Sequence, residues 1–208
     1  MPVIALVGNK GGAGKTTLCV NLGATLATSR DTVILDSDPQ RSSLQWRVIA
    51  EDEAMVKVVD AVDDLPSQID RHADGNRYVV LDCPPSVQAV QTRQALERCD
   101  IALIPVQPSP LDLWATVHIE QEIERARQHN PGLRPFIVVN QLEPRTRLSR
   151  LVRTALAELS VPAAETAIRR RVAYRNAFLE GRSVIDLGSR GADARDEIQQ
   201  LINEVLES

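Results

Sequence analysis

A glycine-rich loop near the N-terminus holds the residues best suited to chemistry. Residues 8–17 read Gly-Asn-Lys-Gly-Gly-Ala-Gly-Lys-Thr-Thr and lie between an apolar, strand-like run and a helix-length segment. This is the context that a phosphate-binding loop requires, because glycines let backbone amides close around phosphate beside a helix N-terminus. We expect Lys15 to contact the β- and γ-phosphates of a nucleotide and the Thr16 hydroxyl to bind Mg²⁺. The other residues expected to bind nucleotide here are Lys10, Gly11, Gly12, Ala13, Gly14 and Thr17.

The loop departs from the ordinary phosphate-loop pattern at two positions. Asn9 stands where GxxxxGK[ST] has its first glycine, and Lys10 is a second lysine. Within one subunit the Lys10 charge would crowd Lys15, so we interpret Lys10 as reaching a nucleotide held by another subunit. The string Lys-Gly-Gly-Ala-Gly-Lys-Thr-Thr resembles the deviant Walker A motif of the ParA/MinD family of dimerising ATPases. The resemblance implies a homodimer formed with ATP, with the extra lysine crossing the interface.

Acidic residues follow two of the apolar runs. The segment VILDSDPQ places Asp36 and Asp38 after a predicted strand, where residues at i and i+2 point the same way. A plain turn rich in Asp and Pro is the alternative. The segment YVVLDCPPS ends its apolar run in Asp82, the form of a Walker B carboxylate that holds Mg²⁺. The resemblance implies that Asp38 orients the attacking water and that Asp36 supports the metal. None of these residues is a strong general base near neutral pH, so we expect slow hydrolysis.

An asparagine ends a third apolar run. In FIVVNQLEP this residue is Asn140, whose amide has both a donor and an acceptor and could read a purine edge. An Asx turn is the alternative at such a position. The family resemblance favours the purine, since it implies an asparagine in contact with adenine at this strand end.

Short β-branched runs alternate with helix-length segments along the chain. This alternation predicts an α/β fold, a P-loop NTPase with a mostly parallel, doubly wound sheet flanked by helices, in a single domain over residues 1–208. The predicted strands are Val3–Val7, Thr32–Leu35, Val56–Val59, Tyr78–Leu81, Ile101–Val106 and Phe136–Val139. The predicted helices are Thr16–Thr28, Leu44–Asp52, Leu65–Ala73, Val87–Glu97, Leu111–His129 and Leu148–Leu159.

Positive charge is concentrated in one region of an acidic chain. Residues 134–182 contain ten arginines and four acids, a net +6 within a protein of net charge −4. A solvated, arginine-rich helix face and a polyanion-binding surface are both compatible with this asymmetry. The family resemblance implies nonspecific DNA binding, for which we select Arg169, Arg170, Arg171 and Arg175. They lie far in sequence from the phosphate loop and have one nearby acid, so we expect their replacement to spare basal ATPase activity.

The C-terminal segment predicts an amphipathic helix with an acidic polar face. Its apolar stripe contains Ile198, Leu201, Ile202, Val205 and Leu206, and its polar face contains Asp193, Asp196, Glu197, Glu204 and Glu207. Anionic lipid would repel such a face, so we expect no membrane association. Three cysteines without CxxC spacing indicate buried free thiols. We expect a cytoplasmic protein that associates with the nucleoid.

These features favour an ATPase that uses ATP and Mg²⁺ to segregate or position a cargo. The resemblance implies an ATP-bound dimer on the nucleoid and a cargo-bound adaptor that stimulates hydrolysis. Plasmid DNA, chromosomal DNA and a protein assembly such as the carboxysome all remain open as cargo. A metabolic P-loop enzyme, such as a small-molecule kinase or ligase without DNA binding, is the alternative function.

Overall fold

Parallel strands form one sheet in the computed structural model, which describes residues 1–50 and 56–207. Within these residues the sheet has six strands, and each neighbouring pair is parallel. The strands are β1 (Val3–Leu6), β2 (Thr32–Asp36), β3 (Lys57–Asp60), β4 (Tyr78–Asp82), β5 (Ile101–Val106) and β6 (Arg134–Val139). Their order across the sheet is β3-β2-β4-β1-β5-β6. The predicted α/β class and parallel sheet are therefore confirmed.

Helices cover both faces of this sheet. They are α1 (Lys15–Ala27), α2 (Ser42–Ile49), α3 (Leu65–His72), α4 (Val90–Leu96), α5 (Pro110–Arg127), α6 (Arg147–Leu156), α7 (Val172–Leu179) and α8 (Ala192–Glu207). A 3-10 segment over Val184–Gly191 is kinked at Gly188. The predicted helix Leu44–Asp52 ends earlier, at Ile49, and its residues 51 and 52 lie outside the described residues. The α7 helix and the 3-10 segment were not predicted.

Strand β1 shows how an apolar sequence builds a two-sided sheet. Val3 and Ala5 belong to the core beneath α3, α4, α5 and α6, whereas Ile4 and Leu6 belong to the core shared with α1 and α8. A strand that is buried on both faces must be apolar at every position, which is why the run has no polar alternation. The three cysteines are buried free thiols, as predicted.

The sheet brings separate polar residues to one edge. Asp36 and Asp82 are aligned neighbours at the ends of β2 and β4, and Leu6 at the end of β1 is also aligned with Asp82. After β1 the chain continues into α1, which lies on the face of the sheet that α8 also covers. The neighbouring strand β5, on the side of β1 away from β4, leads to α5 on the opposite face. A crevice at the carboxyl ends of such strands is the usual ligand position in doubly wound folds.

The C-terminal helix α8 packs its apolar stripe into the core. Ile198, Leu201, Ile202 and Val205 are buried against α1 and the neighbouring strands. Glu197, which we expected on the exposed polar face, is also buried, with 8% of its surface accessible. In the described part of the chain, helices long and apolar enough to cross a membrane are absent.

Candidate functional site

The loop between β1 and α1 depends on glycine at two positions. Gly12 and Gly14 have φ angles of 81° and 90°, in the left-handed region that side chains disfavour. Gly14 is also the N-cap of α1, and a Cβ there would collide with the Asn140 amide. The loop can therefore turn directly into the helix with its backbone exposed to a ligand.

Lys15 lies inside the loop. Its side chain is buried, and its ammonium Nζ donates a hydrogen bond to the Lys10 carbonyl oxygen at 3.1 Å. Burial lowers the pKa of Lys15, while the nearby Asp82, Cys83 and Asp38 act in the opposite direction. A desolvated cation at a glycine-rich loop is well suited to bind phosphate. Lys10 itself is exposed, and its action on a second subunit stays a prediction.

Asp82 has the properties of a metal-binding carboxylate. It is fully buried, and neither of its oxygens has a hydrogen-bond partner among residues 1–50 and 56–207. The Thr16 hydroxyl is near enough to favour the charged form of Asp82 but does not form a hydrogen bond with it. Mg²⁺ is usually held by one or two carboxylates or hydroxyls together with water and substrate phosphates. The residues present therefore fit this ion.

Asp36 has a different environment from its neighbour Asp82. Both of its oxygens are engaged, because Oδ1 accepts a hydrogen bond from the Asp38 amide at 3.1 Å and Oδ2 from the Leu44 amide at 3.0 Å. Burial raises the pKa of Asp36, and these backbone amides partly counteract it. Asp36 thus ties the turn after β2 to the first turn of α2 and holds Asp38 at the sheet edge.

The buried Asp82 predicts a pH-dependent Mg²⁺ requirement. Burial, followed by the Asp36 charge, raises the pKa of Asp82 to about 7 from an ordinary 3.8. This group therefore stabilises the metal-free fold most below pH 3.8 and loses that contribution as pH rises through 7. Since the ion needs the carboxylate, we expect its apparent affinity in the presence of ATP to fall roughly tenfold from pH 8 to pH 6.

Thermal unfolding with ATP, at graded Mg²⁺ concentrations and at pH 6, 7 and 8, measures this effect. The matched control is Asp82→Asn, in which the residual response to Mg²⁺ should lose its pH dependence. A wild-type response to Mg²⁺ that is equal at pH 6 and pH 8 would show that Asp82 does not take part.

Side-chain amides support the phosphate loop from the neighbouring strands. Asn140 Nδ2 donates to the Ala13 carbonyl at 2.7 Å, and its Oδ1 accepts the Gln141 amide at 2.9 Å. The Gln107 and Gln141 side chains both donate to the Gly12 carbonyl, at 2.7 and 3.1 Å. Sequence reasoning missed both glutamines, although each follows a strand end, where polar residues were expected to matter. Contact of Asn140 with adenine stays a prediction.

A cavity of about 150 Å³ lies beside the phosphate loop. Its lining includes Gly14 and Thr17 together with all four of the arginines selected for DNA binding: Arg169, Arg170, Arg171 and Arg175. Although these arginines are far from the phosphate loop in sequence, they lie beside it in the fold, and the expectation that their replacement spares basal ATPase activity stays a prediction. The fold brings them there because residues 168–170 pair with the chain that continues β6, through bonds between Ile168 and Val139 and between Arg170 and Leu142.

Three of these arginines also pair with acids distant in sequence, and Arg169 approaches Glu197 at 3.6 Å. Arg170 pairs with Glu143 at 2.7 Å, and Arg171 pairs with Asp193 at 2.8 Å and with Glu197 at 2.7 Å. The sequence showed one acid near this cluster, and the fold adds acidic partners that are distant in the chain, two of them from α8. Whether a given arginine contacts DNA stays a prediction.

A family model described as the CobQ/CobB/MinD/ParA nucleotide binding domain matches residues 4–184. The chain belongs to this family. The resemblance inferred from the phosphate loop is therefore confirmed, and the match extends from β1 through α7, with α8 beyond it. The family description includes both MinD/ParA and CobQ/CobB proteins.

Individual relatives agree with this assignment. The chain is 43% identical, over 99% of its own length and 96% of the relative's, to the "Maintenance of carboxysome distribution protein A" of Halothiobacillus neapolitanus. A putative plasmid partition protein from Borrelia burgdorferi, solved with AMPPNP, superposes with a TM-score of 0.78 at 16% identity, covering 99% and 98% of the two chains. The septum site-determining protein MinD of Pyrococcus horikoshii, solved with Mg-ADP, gives 0.74 at 22% identity, covering 99% and 97%. Both solved structures share the fold.

Proposed function

We propose that this member of the family is a Mg²⁺-dependent ATPase that dimerises on ATP, binds DNA nonspecifically and positions a cargo. The observation that carries the proposal is the placement of Lys15 and the unpartnered Asp82 carboxylate at the phosphate loop. A phosphate-binding cation and a metal-binding anion meet there. The carboxysome relative at 43% identity favours a protein assembly of that kind as cargo, with a cargo-bound adaptor that stimulates hydrolysis.

The roles of the residues follow from their surroundings. Lys15 and the loop amides would hold the triphosphate, and Thr16 with Asp82 would hold Mg²⁺, which neutralises phosphate charge when it is bound. Asp38, kept in place by Asp36, would orient the attacking water. Phosphoryl transfer needs positioning and charge stabilisation more than a strong base, so these residues suffice for slow turnover.

The base of the nucleotide would occupy the cavity beside the loop. Asn140 is in its lining, next to Gly14 and Thr17 at the start of α1. A purine held there would be continuous with phosphates at the loop. This assignment retains the predicted role for Asn140, with its amide both bracing the loop and bordering the base.

Asp38→Ala tests the proposal. Lys15, Thr16 and Asp82 remain intact in this variant, so ATP should still bind while hydrolysis stops, and the ATP-bound dimer should persist. Sedimentation with ATP and Mg²⁺ should show twice the monomer mass, and the same sample should retard random-sequence duplex DNA. Salt should weaken this retardation steeply, because phosphate contacts release counterions.

The ADP-bound form serves as the control and should remain monomeric with weak DNA binding. An ATP-bound monomer would contradict the dimerisation mechanism. A dimer with equal DNA affinity in ATP and ADP would remove the nucleoid from the mechanism and leave only the ATP-dependent dimer. Replacing Arg169, Arg170 and Arg171 together is not a clean DNA test, because these residues line the nucleotide cavity.

A further inference from the structure

The C-terminal helix α8 contributes a buried carboxylate that faces the cavity wall. Glu197 Oε1 accepts hydrogen bonds from Arg171 Nη2 at 2.7 Å and Arg171 Nε at 3.1 Å. Glu197 Oε2 accepts the backbone amide of Arg169 at 3.2 Å, and the Arg169 guanidinium approaches Oε1 at 3.6 Å. One carboxylate therefore engages both the backbone and the side chains of a single short segment.

That segment, residues 168–171, forms one wall of the cavity beside the phosphate loop. On its other side it is hydrogen-bonded to the continuation of β6, through Ile168 and Val139 and through Arg170 and Leu142. Glu197 completes the restraint from the α8 side. The wall is thus fixed between the strand that positions Asn140 and the helix that carries Glu197.

Glu197 also affects the aromatic residue of the same cavity. Tyr174, a lining residue from α7, donates its hydroxyl to the Ala194 carbonyl on α8 at 3.2 Å. Burial raises the pKa of Tyr174, and the Glu197 charge raises it further. The phenol therefore stays neutral and keeps its hydrogen bond to α8, which anchors a second wall of the cavity to the same helix.

We propose that Glu197 is a positioning residue for the base end of the nucleotide, acting through Arg171 and the backbone of Arg169. The inference rests on the proposed function, in which the cavity receives the base. Because the phosphates bind at the loop, which Glu197 does not contact in the described structure, its influence is confined to the base and ribose. Charged hydrogen bonds in a buried site hold geometry firmly, so their loss should loosen this wall selectively.

A second glutamate on α8 provides a matched control. Glu204, seven residues further on, accepts the backbone amides of Glu165 at 2.6 Å and Thr166 at 2.9 Å. It thus performs a similar restraint on the same stretch of chain, but residues 165 and 166 are not in the described lining of the cavity. Glu204→Gln therefore reports the general effect of releasing this stretch from α8.

The experiment compares binding of ATP with binding of tripolyphosphate, each with Mg²⁺, in the wild type, Glu197→Gln and Glu204→Gln. For Glu197→Gln we expect roughly tenfold weaker ATP binding, the scale of one lost charge-assisted hydrogen bond, and unchanged tripolyphosphate binding. In turnover, KM for ATP should rise while kcat at saturation stays the same. Glu204→Gln should leave both ligands unaffected, and urea unfolding of each variant checks its stability.

A parallel loss of ATP and tripolyphosphate binding in Glu197→Gln, or equal losses in the two glutamate variants, would overturn the proposal. Asp193→Asn gives a second test in case Glu197→Gln does not fold, because Asp193 is the exposed second partner of Arg171. It should weaken ATP binding by a few-fold and spare tripolyphosphate, and unchanged ATP binding there would likewise count against the proposal. Failure of the wild type to bind ATP would reject the proposed function itself, so the two failures are distinguishable.

Discussion

Lys15→Ala is expected to reduce ATP affinity by about a hundredfold or more. Lys15 is a buried ammonium at the loop, so its loss removes charge-assisted hydrogen bonds to phosphate that water cannot replace. Loss of Lys15 would also raise the pKa of the neighbouring Asp82 further, since the Lys15 charge lowers it, and so disfavour the carboxylate that Mg²⁺ needs. Calorimetric titration with ATP and Mg²⁺ measures the change.

Lys10→Ala is the matched control in the same loop. The Lys10 side chain is exposed, and its backbone carbonyl, which accepts the Lys15 hydrogen bond, survives the substitution. We therefore expect near-normal ATP affinity with loss of the ATP-dependent dimer and of adaptor-stimulated turnover. Equal losses of ATP affinity in the two variants would show that Lys10 acts within its own subunit.

Gly181→Ala is expected to destabilise the fold more than any surface substitution. Gly181 has a φ of 63°, and a Cβ there would meet the backbone of Ile49 and Ala50 at the end of α2. Backbone cannot yield as a flexible side chain can, so strain and overlap together should cost roughly 3 kcal/mol. The adjacent Arg182 carbonyl accepts the indole hydrogen of the fully buried Trp46 at 3.1 Å, so displacement would also disturb this core residue.

Gly75→Ala separates the backbone strain of a positive φ from the steric overlap of a new Cβ with neighbouring atoms. Gly75 has a similar φ of 82°, but its Cβ would have no neighbour within 4 Å in the described structure. It should lower the free energy of unfolding by about 1 kcal/mol, the cost of a left-handed alanine. Urea unfolding of both variants gives the comparison, and equal destabilisation would mean that Gly181 does not fix the approach of α2.

Local sequence was sufficient for the strands and the longer helices. The run Ile101–Val106, for example, is apolar at every position, as a strand covered on both faces requires. Helix α7 was not predicted, and its tertiary contacts include the hydrogen bond from Tyr174 to the Ala194 carbonyl. A helix of eight residues is marginal on its own, so its tertiary neighbours decide whether it forms.

The residues of the candidate site likewise fall into those that local sequence predicts and those that depend on the folded structure. The sequence by itself determined the phosphate loop, because its glycines, Lys15 and Thr16 are contiguous and their function depends on local backbone geometry. It also determined that acids would follow β2 and β4. Only the tertiary structure decided that both Asp36 carboxylate oxygens accept hydrogen bonds from backbone amides, whereas neither Asp82 oxygen has a partner among the described residues. The backbone conformation that follows each strand sets such differences, and residue type does not reveal it.

The arginine cluster and the C-terminal helix show most clearly what sequence alone cannot predict. Composition indicated a basic region and an acidic helix as separate surfaces, each facing solvent. In the fold, Glu197 turns inward to Arg171, and the arginines border the cavity beside the phosphate loop. The partners are 26 residues apart in the chain, so no local pattern links them. Packing of α8 across the sheet creates the contact, and a buried carboxylate is stable there only because this arginine and a backbone amide meet it.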